Sequence, residues 1–278
     1  MFKNDLLAGK RILITGGGTG LGKSMGRRLV ELGASLVICG RRREVLEATA
    51  AEFNAAFPGR TMPLTCDVRD PAAIETMLDQ AWAVGPLDAL VNNAAGNFIA
   101  KTETLSPRAV DAVLAIVLHG TAYMTLAVGK RWLAEERPGN VLSIITTYAW
   151  TGSAYVVPSA MAKAGVLALT RSLAVEWGSR KIRLNAIAPG PFPTEGAWKR
   201  LVPDSNLDAV WLHKVPLRRY GEHLELANLA AYLLADGSGY INGEVVTIDG
   251  GEWLKGAGQF NLMEMLSDAE WEAMRQRR

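Results

Sequence analysis

The stretch RILITGGGTGLG, residues 11–22, decides the fold, because a short apolar run there enters a cluster of glycines. Apolar residues with helical periodicity follow from Leu21 to Leu32 and stop at Gly33. Glycines allow a tight turn and a close approach of the backbone to a pyrophosphate, whose charge the helix N-terminus then stabilises. A tight turn without any ligand is the alternative. The context of strand, turn and helix favours a nucleotide-binding turn.

The rest of the chain repeats this alternation of apolar strands and helices. Continuous apolar strands that alternate with helices predict an α/β fold. We expect a single doubly wound Rossmann domain over residues 1–278, with a parallel, mainly seven-stranded sheet and helices on both faces. Residues 252–278 are predicted to form a C-terminal extension packed on that domain, with a capping box at Ser267 to Glu270. Further strands are predicted at 35–39, 62–66, 87–91, 141–147, 182–187 and 244–248, and helices at 44–57, 71–84, 106–134, 158–177 and 222–235, with a less regular insertion at 189–217.

Composition excludes several classes of partner. A net charge of +2 and 21% charged residues give no reason to expect nucleic acid or a membrane surface. The N-terminus shows no signal peptide, no uninterrupted run approaches about 18 apolar residues, and the end of the chain is not a peroxisomal signal. Two cysteines, Cys39 and Cys66, at the ends of apolar runs indicate reduced, buried thiols. We therefore expect a cytoplasmic protein, and we predict no metal site.

The second predicted strand indicates which nicotinamide dinucleotide the turn binds. A ribose 2′-hydroxyl is usually held by an acidic residue at the end of this strand, whereas a 2′-phosphate is matched by arginine. Here the strand ends Cys39-Gly40 without a carboxylate, and Arg41-Arg42-Arg43 follows. Guanidinium groups suit a phosphate, although a solvated basic helix start is the alternative. The sequence therefore predicts NADP(H), held at its 2′-phosphate by Arg41.

Several motifs follow in an order that resembles the short-chain dehydrogenase/reductase superfamily. The pattern TGxxxGxG covers Thr15 to Gly22, and the match extends from about Gly9 to Gly251. The pair Asp67-Val68 is similar to the pair that contacts adenine in that family. The resemblance implies a cofactor site made of Gly16, Gly18, Thr19, Gly20, Leu21, Gly22, Arg41, Asp67, Val68, Asn93, Ala94, Lys163, Pro189, Gly190, Pro191 and Phe192.

The catalytic positions depart from that family. Lys163 is in place, but Ser159 stands where the family has tyrosine, four residues earlier on the same helix face. Thr146 replaces the usual serine, and His119 replaces the usual asparagine. Either the chain has lost its chemistry or the proton donor has moved. Tyr148 is the favoured donor, because a strand would place it on the same side as Thr146 at an edge where ligands bind.

Two other residues take part in these alternatives. Tyr155 is the rival donor, although it lies in a loop before the catalytic helix, where an aromatic ring more often packs. For His119 we favour structural support, by a bond to a backbone carbonyl or to water, over a proton relay.

Segments around these positions closely resemble the 2,4-dienoyl-CoA reductases, nearer the mitochondrial type than the peroxisomal type. They include NNAAGNF at 92–98, TYAxTGS at 147–153 and VVPSAxAKAG at 156–165. The resemblance implies that Tyr148 and Asn97 hydrogen-bond the thioester oxygen and stabilise a dienolate. It also implies that Ser159 and Lys163 anchor the nicotinamide half of the cofactor, and that the substrate is contacted by Arg69, Phe98, Ser106 and Arg200.

These expectations combine into one hypothesis and two alternatives. The hypothesis is NADPH-dependent reduction of a 2,4-dienoyl-CoA to a 3-enoyl-CoA in fatty-acid degradation. A relocated donor suits it, because the charge in reduction of a conjugated thioester collects on the thioester oxygen, farther from the nicotinamide than in ketone reduction. The alternatives are an NADP(H)-dependent carbonyl reductase or alcohol dehydrogenase, and a non-catalytic NADP(H)-binding regulator. A homotetramer is expected by resemblance.

Overall fold

The computed structural model describes residues 1–194 and 205–276. Seven strands form one parallel sheet in the order β3-β2-β1-β4-β5-β6-β7. Neighbouring strands pair in register, with Leu13 opposite both Val37 and Leu90. The strands are β1 (Arg11–Thr15), β2 (Ser35–Gly40), β3 (Thr61–Thr65), β4 (Ala89–Asn92), β5 (Gly139–Ile144), β6 (Ile182–Pro189) and β7 (Val245–Ile248).

The predicted fold class is confirmed. The strand order reverses direction between β1 and β4, which is the switch point where sheets of this type bind ligands at the carboxyl ends of their strands. The helices are α1 (Gly20–Glu31), α2 (Arg43–Ala56), α3 (Pro71–Val84), α4 (Pro107–Leu114), α5 (Gly120–Ala134), α6 (Tyr148–Thr151), α7 (Val157–Gly178), α8 (Ser205–Lys214), α9 (His223–Leu234), α10 (Glu252–Ala257) and α11 (Asp268–Gln276).

Two apolar layers cover the two faces of the sheet. On β1, Ile12 and Ile14 belong to the cluster that includes residues of α1, α2 and α9, whereas Leu13 belongs to the cluster on the opposite face. That second cluster includes the fully buried Trp132 of α5 and the buried Trp177 of α7. Because successive strand residues point to opposite faces, an apolar run is required wherever both faces are covered.

Two predicted elements differ in the structure. The helix predicted over residues 106–134 is interrupted by a π-helical turn at Ala115–His119 between α4 and α5. The strand predicted at 141–147 ends at Ile144, since ladder pairing with β6 stops at Ile187 and the chain then turns into α6. Tyr148 therefore begins a short helix, and the strand period used to place it beside Thr146 was wrong.

The C-terminal segment after β7 contacts the fold unevenly. Trp253 of α10 packs edge-on against Trp150, with ring centroids 5.7 Å apart. The predicted capping box is confirmed, because Ser267 Oγ accepts from the Glu270 amide at 3.3 Å while the Glu270 carboxylate accepts from the Ser267 amide at 2.8 Å. No residue of α11 itself is buried. Packing of the whole extension on the domain stays a prediction.

One helical stretch is long and apolar enough to cross a membrane by length and composition alone. It covers Pro107–Ala134, and 50% of its most apolar window is buried inside the fold. Core helices of soluble proteins meet the same criterion, so the stretch is weak evidence for a membrane span.

Candidate active site

A cleft of about 2490 Å³ lies at the carboxyl edge of the sheet. Its walls are the glycine-rich turn after β1, the loops after β2, β3, β4, β5 and β6, and the segment after β7. Typical small-molecule pockets enclose roughly 300–1,000 Å³, so this cleft has room for two ligands side by side.

The glycine turn is built for close backbone approach. Gly16 and Gly20 have φ of +66° and +53°, in the region that favours glycine. A Cβ at Gly22 would overlap the Gly16 carbonyl oxygen. Thr19 is the N-cap of α1, but its side chain accepts no hydrogen bond from the first amides of the helix. The Thr19 side chain therefore leaves these amides free to donate to a ligand. This cradle fits a pyrophosphate at a helix N-terminus.

Asn93 fastens this turn to the loop after β4. Its Nδ2 donates to the Thr15 and Gly16 carbonyl oxygens at 3.0 and 3.3 Å. The Thr15 hydroxyl in turn accepts from the amides of Asn93 and Ala94 at 3.0 and 2.9 Å. Thr15 is absent from the predicted site, although its place in the TGxxxGxG motif is the signal that could have found it.

Of the predicted site residues around the adenosine end of the cofactor, only some line the cleft. Arg41, Asp67 and Val68 line the cleft. Arg69 does not line it, because its guanidinium holds Asp67, with Nη2 2.6 Å from Oδ2 and Nε 2.9 Å from Oδ1. This arginine lowers the pKa of the Asp67 carboxyl.

At the centre of the cleft the Tyr148 hydroxyl lies 3.0 Å from Ser159 Oγ and is also hydrogen-bonded with the Thr146 side chain. Burial raises the pKa of Tyr148, while these two hydroxyls act in the opposite direction. Ser159 is only 2% exposed and is not part of the cleft wall. A hydroxyl from α6 therefore stands beside the α7 position where the family carries its tyrosine.

Lys163 lies one turn further along α7 and lines the cleft. Its ammonium donates to the Ile144 carbonyl oxygen at the end of β5. Burial lowers the pKa of Lys163 to about 8. The group is thus a charged donor at neutral pH that loses its proton in mildly basic solution.

Asn97 reaches the same cleft from the loop after β4. Its Oδ1 accepts from the Phe98 amide at 2.9 Å, which fixes the orientation of the side-chain amide. Within the described ranges its NH₂ group has no hydrogen-bond partner, so it remains available as a donor. Phe98 also lines the cleft, as predicted for a substrate contact.

The remaining predicted residues divide into three groups. All predicted cofactor residues line the cleft except Gly22, which lies behind the turn; the segment Pro189 to Phe192 forms one wall. Ser106 is the N-cap of α4 and accepts from the Ala109 amide at 3.2 Å, away from the cleft. Arg200 lies outside the described residues.

Tyr155 and His119, the two residues with open roles, lie in different places. Tyr155 lines the cleft at φ +65° and is 59% exposed. His119 is exposed outside the cleft, with its ring 5.9 Å from that of Tyr123. Its two predicted roles, structural support and a proton relay, both stay predictions.

A large part of the cleft wall is absent from the sequence-based prediction. It comes from α8 and from the segment after β7, whose lining residues include Trp211, Glu252, Trp253, Lys255, Leu262 and Met265. These positions carry no motif. In the described part of the chain, no group of three or more His, Cys, Asp or Glu residues is arranged to hold a metal ion.

A family model described as enoyl-(acyl carrier protein) reductase matches residues 16–252. A Bacillus subtilis (strain 168) protein, named as a probable 2,4-dienoyl-CoA reductase producing (2E)-enoyl-CoA, is 47% identical over 88% of this chain and 97% of its own length. A Caenorhabditis elegans protein, named as a probable 2,4-dienoyl-CoA reductase producing (3E)-enoyl-CoA, is 42% identical over 91% of this chain and 83% of its own.

Solved structures agree with these sequence relatives. A short-chain dehydrogenase from Bacillus anthracis superposes with a TM-score of 0.83 at 42% identity, covering 90% of this chain and 98% of its own. A gluconate 5-dehydrogenase from Burkholderia cenocepacia, solved with NADP and tartrate, gives 0.84 at 30% identity and the same coverage. The chain belongs to the short-chain dehydrogenase/reductase family, among relatives named 2,4-dienoyl-CoA reductases. It is an enzyme of the oxidoreductase class.

Proposed function

We propose that this enzyme uses NADPH to reduce a 2,4-dienoyl-CoA to an enoyl-CoA. The observation that carries the proposal is the Tyr148 hydroxyl, placed by α6 beside Ser159 at the position where the family's tyrosine is missing. The names of the relatives support the same substrate class.

The two donors suit a thioester oxygen that becomes negatively charged. Because its pKa is raised, Tyr148 stays protonated at neutral pH and can donate. The fixed amide of Asn97 offers a second N–H donor. Preorganised donors of this kind stabilise developing charge more than water does, because they need no reorganisation during the reaction. Tyr148 and Asn97 would thus hold the dienolate oxygen.

The residues present fit a nicotinamide dinucleotide. The glycine cradle accepts a pyrophosphate, and Arg41 at the end of β2, with no carboxylate at that strand end, favours a 2′-phosphate and therefore NADP(H). Lys163 would bind the nicotinamide ribose as a charged donor. When bound, the cofactor supplies a hydride to the far carbon of the diene.

Protonation completes the reaction. The dienolate takes one proton from water at the α carbon, which leaves one double bond, between the β and γ carbons, in a 3-enoyl-CoA. The relatives' names differ on this point, since one gives a (2E) product and the other a (3E) product. Only protonation at the α carbon leaves the double bond at the 3 position, so the product isomer reports where the proton enters.

The cellular setting is part of the same proposal. Reduction of dienoyl thioesters belongs to fatty-acid degradation, which we place in the cytoplasm. We also propose a homotetramer, in which exposed apolar side chains on α5 and α7, including Tyr123, Leu126, Met161 and Val175, would lie at subunit contacts. Burial of these side chains against a partner subunit would remove apolar area from water.

The deciding experiment follows NADPH oxidation with 2,4-hexadienoyl-CoA in the wild type, Tyr148→Phe and Tyr155→Phe. Loss of turnover in Tyr148→Phe alone, with a 3-enoyl product by NMR, supports the proposal. Turnover of ketones without any turnover of the dienoyl thioester would contradict it and favour a carbonyl reductase.

A further inference from the structure

The cleft has cationic side chains at two separate ends. At the end beside β1 and β2, Lys23, Arg41 and Arg42 line it, next to the glycine cradle. A second group, which we call the basic rim, consists of His213, Lys214 and Lys255, contributed by α8 and α10.

The topology keeps these two ends apart. The helix α8 follows β6 and α10 follows β7, at one end of the sheet, whereas Arg41 follows β2 near the other end. Five strand steps separate β2 from β7, which corresponds to roughly 24 Å at about 4.8 Å a step. All phosphates of the dinucleotide belong to the glycine cradle and the β2 end. The cofactor therefore places no phosphate group at the basic rim.

The basic rim is held together by one carboxylate. Lys255 Nζ lies 2.6 Å from Glu264 Oε1 and donates to the His213 carbonyl oxygen at 2.6 Å. Arg218, just outside the cleft, donates to the same carbonyl at 2.8 Å and pairs with Glu264 at 3.4 Å. Lys255, Arg218 and His213 together lower the pKa of Glu264. Two permanent cations, Lys255 and Arg218, thus contact one carboxylate, and Lys214 is not part of this cluster.

Lys214 is the member most available to a ligand. It is exposed at the C-terminal end of α8, and none of the described carboxylates lies within ion-pair distance of it. Glu252 of α10 interacts electrostatically with Lys214, and its carboxylate accepts from Trp211 Nε1 at 3.1 Å. Burial and the neighbouring Asp249 raise the pKa of Glu252, while the Trp211 hydrogen bond and Lys214 act in the opposite direction.

The wall between the basic rim and Tyr148 is apolar. It carries Trp253, which packs edge-on against Trp150, together with Leu262 and Met265. The wall thus changes from apolar near Tyr148 to basic at the rim. A ligand that fits it is an uncharged chain with an anionic group at the end remote from the reacting atoms. A thioester anchored at Tyr148 with phosphates on its carrier has that form.

We propose that the basic rim binds phosphate groups of the coenzyme A carrier. This inference rests on the proposed function and assigns the carrier's anions to α8 and α10, since Arg69 is paired with Asp67 and is not itself part of the cleft wall. Arg200 lies outside the described residues, and its predicted substrate contact is independent of the basic rim.

The test compares Lys214→Glu with Lys181→Glu, a matched charge reversal of an exposed lysine at the opposite edge of the sheet. We expect Lys214→Glu to raise KM for 2,4-hexadienoyl-CoA about tenfold, because charged hydrogen bonds to phosphate are worth that much or more. The kcat and the KM for NADPH should stay within about twofold of wild type, and Lys181→Glu should match wild type.

A phosphate-free substrate separates a binding role from a structural one. With the N-acetylcysteamine thioester, Lys214→Glu and wild type should have equal KM, and 3′-dephospho-CoA thioesters show which phosphate the rim contacts. Equal KM values for Lys214→Glu and Lys181→Glu with the CoA thioester would overturn the assignment. So would an equal rise in KM with the truncated thioester.

Calorimetry keeps the two proposals distinguishable. Free CoA is titrated into the NADP⁺-saturated wild type and the same two variants. If the wild type binds CoA, if Lys214→Glu weakens that binding, and if the wild type does not turn over the dienoyl thioester, then the assignment of the basic rim holds and the proposed reaction is rejected. Absence of CoA binding to the wild type would reject the basic rim itself.

Discussion

The two halves of the cleft are built in different ways. The half that we assign to the cofactor, called the cofactor half, comes from short loops directly after β1 to β4, with its turn fastened by Asn93 and Thr15. The half that we assign to the carrier of the substrate, called the substrate half, comes from α8 and the segment after β7, held by exposed ion pairs around Glu264. The cofactor half is fixed by backbone geometry and half-buried hydrogen bonds, whereas the substrate half depends on side chains that can change with little cost to the fold. Variants should therefore separate cofactor effects from substrate effects.

The largest expected effect is on the chemical step, where the halves meet. Tyr148→Phe removes the hydroxyl that lies 3.0 Å from Ser159 Oγ and leaves the ring in place. Loss of one such donor costs about 10²–10³ in kcat in comparable sites. Stopped-flow NADPH oxidation measures it, with Tyr155→Phe as the matched control. Similar losses in both variants would show that the hydroxyl of Tyr148 is not the donor.

Arg41→Gln tests the cofactor half alone. It removes the guanidinium that we assign to the 2′-phosphate, so the preference for NADPH over NADH should fall about 10- to 100-fold. The KM for the dienoyl thioester should not change. Arg42→Gln is the neighbouring control, and an equal effect there would assign the phosphate to the basic pair rather than to Arg41.

The pH dependence should report Lys163. Its folded pKa is lowered to about 8 from 10.5, so the charged donor is present below pH 8 and is lost above it. We expect kcat/KM for NADPH to fall about tenfold per pH unit above that point. Deprotonation of Tyr148 does not produce this limb, since its pKa is raised. A profile flat to pH 10 would contradict the role of Lys163.

Lys163 also makes the stability of the protein depend on pH, and in the opposite direction, because stability rises with pH where the activity falls. Between pH 8 and 10.5 the unfolded chain binds more protons at this site than the folded one. The free energy of unfolding of the cofactor-free protein should therefore rise with pH across that window, by this site's contribution. Denaturation by urea at several pH values measures it.

Ser159→Ala should have a smaller effect, about tenfold in kcat. The serine is buried behind Tyr148, so we expect it to position the tyrosine hydroxyl. Ser159→Thr should restore most of the activity, because it retains the hydroxyl. A rise in KM for NADPH with little change in kcat would instead indicate the predicted anchoring of the nicotinamide.

Sequence alone located most residues that line the cleft on the β1 to β4 side and none of those contributed by α8 and the segment after β7. Glycines, Arg41 and Asp67 lie within contiguous strand-turn-helix motifs, whose physical requirements are local. Tyr148 lines the cleft as predicted, but it lies on a helix and not on the predicted strand. The sequence predicts a longer strand because apolar and β-branched residues continue past Ile144, whereas pairing with β6 stops at Ile187. Trp211 and Lys255 meet only through tertiary packing of segments without a motif.

The smallest expected effect comes from the end of the chain. A protein ending at Leu266 lacks α11, which has no buried residue, so its free energy of unfolding should change by less than about 1 kcal/mol. Its KM for both substrates should match wild type. A protein ending at Gly251 also loses α10 and Lys255, and should raise KM for the CoA thioester while leaving that for NADPH unchanged. The alternative outcome is that removal of α11 alone dissociates the oligomer or lowers the stability severely. The substrate half would then extend across a subunit contact. In that case the division between the two halves would hold within one chain but not in the assembly.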